Sequence, residues 1–348
     1  MRKFSAHCLY HLQMHRLFQF LHRKKTIILM YHGFTDKKKH DGIENYQGKH
    51  INNELFRSQI KYIKEHYNVI SLDHFIECCT SGELLPEKSI IITIDDGYKS
   101  NYTLAFPIFK EFDVPATIFL TTDFIDNKNY LWVDRLEYTL NNTKAENLKL
   151  QIGDEELVFS IITKADKIIC EKMIRRRLKI MPHETIDETV KDIENQLKRK
   201  LTDATKVPEI YKPLEWDEIL EMTNTSKVCI GSHTHKHLIL ARYDNTVIQN
   251  ELTLSKEIIE RNIGINTRLF CYPNGAFGDF NEHTRQIVRE SGYSCALTTV
   301  KGLKNEFSDL FELKRLSIEN TDLKSFIVTT SGLRHFFSKI TSRNNAVS

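Results

Sequence analysis

At 348 residues, 41% hydrophobic and 27% charged, the chain can form one large domain or two small ones and has the composition of a folded globular protein. A net charge of +3 is too mild to argue for a nucleic-acid partner, and no nucleic-acid-reading motif stands out. Seven cysteines, an odd number without a CxxC pair and several inside apolar runs, argue against a disulfide framework and for a reducing compartment.

Residues 1–25 carry Arg2, Lys3, Arg16, Arg23, Lys24 and Lys25 and no acid. Tyr10, Met14, Leu17 and Leu21 recur at helical spacing, with Phe18 beside them. With no continuous apolar stretch and no small-residue cleavage site, this is not a signal peptide, and the expected location is cytoplasmic. Two readings stay open: a basic amphipathic helix in peripheral contact with the inner membrane face, or a helix packed on the outside of the fold.

TIILMYH (26–32) reads as a buried strand, and the following stretch NELFRSQIKYIKEHY as a helix with Phe56, Ile60 and Ile63 on one face and Asn52 or Asn53 as cap. NVISL is a short strand, and Ser71 caps a second helix. SIIITI (89–94) is a second continuous apolar strand, ending in Asp95-Asp96-Gly97. A helix over about 99–111 carries Pro107 near its middle, where a break or kink is expected. PATIFLTT is the next strand.

Strand–helix alternation then lapses. Residues 125–213 read as an insertion, mainly helical, with LKLQI and EELVFSII as a short strand pair. Alternation resumes with the strands KVCIGS, TRLFCYP, YSCALTT and LKRLSI, separated by helices that stop at Gly264 and Gly292. A last helix runs from about Asp322 to Lys339. Continuous apolar strands alternating with helices predict a parallel α/β sheet, covered on both faces and closed into a barrel of about seven strands. The expected organisation is a basic segment (1–25), a barrel built from 26–124 and 214–340, and the insertion as a lid or wall.

In parallel barrels the reactive groups gather at the C-terminal strand ends. Here those ends are Tyr31-His32, Asp95-Asp96, Ser232-His233-Thr234-His235-Lys236-His237 and Tyr272-Pro273-Asn274-Gly275. Adjacent carboxylates at the mouth of an apolar strand need positive compensation, which a divalent metal can supply. Imidazoles four residues apart can face one ion, and two His with one carboxylate leave positions open for water and substrate. His40, His50, His66, His183 and His335 sit in polar contexts and read as surface residues.

IIITIDDGY resembles the TFDDG motif, and IGSHTHKH the H-[ST]-x-x-H motif, of the polysaccharide deacetylase family with the NodB-homology domain (carbohydrate esterase family 4). MYHGF is similar to the opening of one branch, and CYPNG to its third motif. The likeness spans roughly 26–124 and 214–320. It implies an irregular (β/α) barrel, one divalent ion (Zn2+ as the expected metal) on Asp96, His233 and His237, and Asp95 as general base. It also implies a backbone N–H at Asn274 for the oxyanion, within a Tyr272–Gly275 substrate loop, and hydrolytic removal of acetyl groups from an N-acetylated saccharide. His235 is not a ligand in that pattern.

Two departures stand out. Cys271 occupies the place of an Arg that orients the base, and Leu316-Ser317-Ile318 lacks the late catalytic His. His32, whose strand end shares the rim, is the candidate acid in its stead, and Trp132 and Tyr130 are candidates to stack on a sugar ring. The alternatives are a non-catalytic glycan-binding barrel and an O-acetyl esterase using the same groups.

Overall fold

The computed structural model describes residues 2–303 and 309–336. Eight strands form its main sheet: β1 (Ile27–Tyr31), β2 (Asn68–Val69), β3 (Ser89–Ile94), β4 (Ala116–Leu120), β5 (Val228–Ser232), β6 (Leu269–Cys271), β7 (Cys295–Lys301) and β8 (Leu313–Ser317). Every pairing among them is parallel. Seven of them close a ring in the order β1-β8-β7-β6-β5-β4-β3, and β3 returns to β1. β2 stands outside the ring. Ile90 of β3 pairs with Ile27 on one edge and Val69 on the other, and β4 joins that second edge further along, at Thr93 and Ile94.

The apolar runs become strands because both faces are covered. All six residues of β3 are buried. Ile90, Ile92 and Ile94 pack outward against helix Asn53–His66 through Phe56, Ile60 and Ile63. Ile91 joins Ile28, Phe119, Leu269, Cys295, Leu297 and Leu313 in a separate cluster inside the ring, with Leu72, Phe75 and Ile76 of helix Leu72–Ser81. The two-residue period of a strand therefore sets Ile91, Thr93 and Asp95 on one inward row. Space there is tight. A Cβ on Gly231 would lie 2.5 Å from the Phe119 ring and 2.9 Å from the Leu269 carbonyl.

The expected caps form: Asn52 accepts from the Glu54 and Leu55 amides, Ser71 from that of His74, and Gly264 ends its helix at φ 71°. The irregularity expected at Pro107 falls just before it. A π-turn (Asn101–Ala105) precedes helix Phe106–Phe112, which places the proline in a first turn where no N–H is required. Two elements were not expected, a short parallel ladder of Gly33–Thr35 with His50–Asn52 and a one-turn helix Thr122–Asp126. The last helix is Leu323–Thr330, capped by Asp322, with one more turn over 333–336; its expected end at Lys339 lies outside the described residues.

The N-terminal segment is two helices, Arg2–His11 and Met14–Leu21, hinged at Gln13 with φ 56°. Phe18 packs on Val328 and Leu333, while Leu17, Phe20 and Leu21 remain exposed. No described helix is long and apolar enough to cross a membrane. All seven cysteines are free.

Within residues 125–213, helices Trp132–Asn142, Lys164–Leu178 and His183–Leu197 surround the antiparallel hairpin Asn147–Ile152/Glu155–Ser160. They bury their own apolar cluster, to which Ile43 of the loop after β1 also contributes. Polar anchors join this unit to the barrel. Lys49 bonds Asp134 at 2.9 Å, the Tyr98 hydroxyl donates to Asp134 at 2.5 Å, and Glu137 accepts from the Asn45 amide and, within the unit itself, from the Tyr211 hydroxyl.

Candidate metal centre and catalytic rim

The rim is built where β1, β3, β5 and β6 end. Asp96 (φ 77°), Thr234 (φ 65°), His237 (φ 60°) and Asn274 (φ 59°) all occupy the left-handed region just beyond those ends. Such backbone is disfavoured for residues other than glycine, most of all for a β-branched threonine, and it concentrates at functional sites. The HTHKH run is not helical. It leaves β5 as a loop, and the reversals at Thr234 and His237 bring the two rings back toward β3.

His233, His237 and Asp96 meet there. The Nε2 atoms lie 3.6 and 3.5 Å from Asp96 Oδ1, and the ligand-capable atoms of all three residues lie within 4.8 Å of one another. Those distances are too long for hydrogen bonds. They match the roughly 3.3–3.5 Å between two ligand atoms that each sit about 2.0–2.2 Å from a tetrahedral ion. His233 Nδ1 bonds the Cys271 carbonyl at 2.7 Å, so Nδ1 carries the proton and Nε2 keeps its lone pair toward Asp96. Burial lowers the His233 pKa to about 4 against the opposing pull of Asp95, which keeps the ring neutral as a ligand requires. Burial pushes the Asp96 carboxyl up, but the neighbouring His237, His32 and Lys49 bring it well below the usual carboxylate value. The three residues therefore fit one divalent ion in geometry, protonation and donor type.

Asp95, His233 and Cys271 also approach within 4.8 Å, but they make a poorer cation site. Both Asp95 oxygens are occupied, and burial raises the Cys271 thiol well above its ordinary value, leaving it neutral.

The residue occupying Asp95 is Arg315, which sequence reasoning missed. It is fully buried and reaches in from β8 to donate to both Asp95 oxygens at 2.7 Å. Its remaining donors meet Thr93 Oγ1 (3.1 Å), the Thr298 carbonyl (2.8 Å) and Cys271 Sγ (3.0 Å). The guanidinium thus touches the very residue that stands where the family places its arginine. Burial alone would raise the Asp95 pKa; Arg315, by charge and hydrogen bonds, outweighs it and leaves the carboxyl below its ordinary value. The available signal was a lone arginine at Leu313 spacing, on the inward row of an apolar strand.

His32 follows β1 on the same rim, and its pKa is lowered by burial against the attraction of Asp96 and Asp95. Tyr272 turns away from the rim: it is buried, stacks on Phe280 and donates to the Phe311 carbonyl. Pro273 and Gly275 make the tight turn around Asn274. A Cβ on Gly275 would lie 3.0 Å from both the Thr299 amide and the Tyr272 carbonyl. His235 points away from the three-residue cluster, bonding Thr122 at 2.9 Å. His66 is exposed and His335 half-buried, and His40 bonds Glu44. Two of the surface expectations fail. His50 is buried against Tyr98 in the short ladder beside Gly33, and His183, on the insertion, lines a cavity with His237.

Comparison with known proteins places the chain and its fold. Over 89 residues, 35% are identical to a poly-β-1,6-N-acetyl-D-glucosamine N-deacetylase of Staphylococcus epidermidis, covering 25% of this chain and 29% of that protein. Over 67 residues, 37% are identical to the Escherichia coli K12 protein of the same name, 10% of its length, so the chain spans under a third of these relatives. YxkH of Bacillus subtilis is 27% identical over 295 residues, 84% of this chain and 71% of that protein. The fold is shared with Streptococcus pyogenes deacetylase PplD (TM-score 0.58, 19% identity, 88% of this chain and 98% of that one). It is shared also with IcaB from Ammonifex degensii (TM-score 0.56, 15% identity, 88% and 97%). Residues 83–296, more than half of the chain, match the family model described as polysaccharide deacetylase. With Asp95, Asp96, His233, His237 and the barrel inside or framing that span, the chain belongs to the polysaccharide deacetylase family.

Proposed function

We propose that the chain hydrolyses the acetamido group of N-acetylated sugar units in a glycan, with one divalent ion, Zn2+ by its donor set, held by Asp96, His233 and His237. The observation that carries this reading is the placement of Asp96 Oδ1 at 3.5–3.6 Å from two imidazole Nε2 atoms, with Asp95 clamped beside them. A bound ion would lower the pKa of a coordinated water and polarise the acetyl carbonyl. Asp95, kept ionised by Arg315, takes the proton of the attacking water. The Asn274 amide supports the charge developing on the carbonyl oxygen. The proton that Asp95 takes passes through His32 to the departing amine, which leaves both groups as they began and gives acetate and a free amino sugar.

Strand pairing supports His32 in the place of the late His absent from β8: Met30 pairs with Ser317, and the Ile318 amide donates to the Met30 carbonyl, so the end of β1 lies beside the position such a His would take. Arg315 likewise stands in for the arginine absent at Cys271, which weakens the case for a non-catalytic glycan binder. The printed names of the Staphylococcus and Escherichia relatives favour poly-β-1,6-N-acetylglucosamine as the first substrate to test. The test is acetate release from that polymer by purified protein, before and after chelation and after Zn2+ is restored. Metal-dependent release is expected; none from any N-acetylated glycan by Zn2+-loaded protein refutes the reading.

A further inference from the structure

Helix Met14–Leu21 packs only one side on the fold. Phe18 lies on Val328 and Leu333, Met14 borders the same cluster, and the His22 ring bonds the Ser331 carbonyl at 3.0 Å. On the outward side Leu17, Phe20 and Leu21 are 55–58% exposed, and Leu12, just before the helix, is 71% exposed. Positions 17, 20 and 21 stand at i, i+3 and i+4, so these side chains form one strip along the helix. Apolar side chains scattered singly over a surface need no explanation, but a strip of leucine and phenylalanine held in water does. The barrel's packing does not require it, because none of the three joins a buried cluster among the described residues.

The charge beside the strip narrows what covers it. Residues 1–25 hold six Lys and Arg and no acid. Arg23 lies over the Phe20 ring at 4.2 Å and pairs with Glu87 at 3.2 Å, so its charge is met within the fold. Arg16 and Lys24 are exposed and make no ion pair among the described residues. A symmetric contact with a second copy would set these cations close to their own counterparts, with no acid in the segment to offset them. An anionic lipid surface supplies both halves of what the helix presents: an apolar layer for Leu and Phe, under a plane of phosphates for Arg and Lys.

The strip also lies where such contact leaves the reactive groups free. The segment leads directly into the start of β1, and the Arg23 carbonyl accepts from the Lys88 amide, one residue before β3 begins. Both are strand starts, whereas Asp96 and His233 follow strand ends. Six residues of β3 at about 3.3 Å each put roughly 20 Å between the two ends of the barrel. A surface held at the Arg23 end therefore does not cover the rim.

We infer that the outward side of helix Met14–Leu21 docks reversibly on an anionic lipid surface, with Leu17, Phe20 and Leu21 entering the hydrocarbon boundary and Arg16 and Lys24 meeting headgroup phosphates. The inference rests on neither the metal nor the substrate.

The test is co-sedimentation of the full chain with vesicles of phosphatidylcholine alone and of equal parts phosphatidylcholine and phosphatidylglycerol. Partition onto the anionic vesicles should be at least about tenfold higher and should fall as salt rises from about 0.05 to 0.5 M, where screening shortens the reach of the charges. Leu17→Ser/Phe20→Ser/Leu21→Ser should cut anionic partition about tenfold or more, with an unchanged circular dichroism spectrum because the three side chains are exposed. Arg16→Gln/Lys24→Gln, which leaves the apolar strip intact, should bring anionic partition close to the neutral level. Leu254→Ser, a half-exposed leucine on another helix, should change nothing. Equal partition onto both vesicles, none onto either, or partition indifferent to both multiple variants would overturn the proposal. So would a concentration-dependent dimer that the triple variant dissolves in the absence of vesicle binding, since the strip would then belong to a second copy.

Discussion

Replacing Arg315 by methionine tests how the base is held. The substitution keeps volume but removes a buried cation that donates to both Asp95 oxygens and to the Thr298 carbonyl. Asp95 would be left as a buried, unpaired carboxylate. Breaking a buried pair from one side costs about 3–5 kcal/mol, and the orphaned carbonyl adds to it. The penalty should depend on pH. In the wild type the Asp95 pKa is depressed, so its contribution is complete above the ordinary carboxylate value of 3.8 and is lost as pH falls through the lower folded value. In the variant, burial raises that pKa with nothing to oppose it. The penalty is then full at high pH and relieved as the solution is acidified and Asp95 protonates. Denaturant unfolding at pH 8 and pH 5 should therefore show a smaller stability gap at pH 5. Asp95→Asn in the Arg315→Met background should recover stability, although Asp95→Asn alone loses it. A gap below about 1 kcal/mol that ignores pH and is not relieved by Asp95→Asn would refute the idea that this ion pair governs the state of the base.

Three further outcomes follow from the same geometry. Glu137 has its pKa raised to about 7 by burial, against the Asn45 and Tyr211 hydrogen bonds and with Asp134 adding, so the stability it contributes is present below 4.5 and lost as pH climbs to about 7. Glu137→Gln, which cannot ionise, should remove that loss and gain up to roughly 3 kcal/mol on the wild type between those pH values, read from pH-dependent melting; parallel curves would contradict it. His237→Ala should abolish stoichiometric Zn2+ in elemental analysis while circular dichroism stays unchanged, and retained metal would count against its place in the cluster. His32→Gln should keep the metal but lower kcat by about 10^2–10^4, the usual scale for a lost general acid; near-normal turnover would remove His32 from the chemistry.

The alternation of apolar strands with helices was enough to place the barrel, because a parallel strand buried on both faces must be continuously hydrophobic, as SIIITI and ATIFL are. The rim was equally legible: groups that directly follow such strands share one end of the barrel, so Asp95, Asp96, His32 and His233 had to converge whatever the side-chain details. What the sequence could not yield is which strands lie opposite one another across the ring. Arg315 and Asp95 are 220 positions apart, and only closure of β8 onto β1 carries the guanidinium to the carboxylate. The same holds for His50 and His183. Their flanking residues are polar, as at the surface, and their environment was decided by remote packing: Tyr98 covers His50, and the insertion carries His183 over the rim to the cavity beside His237. Local pattern specifies which face a residue takes on its own element; what that face meets depends on the packing of elements remote in the chain.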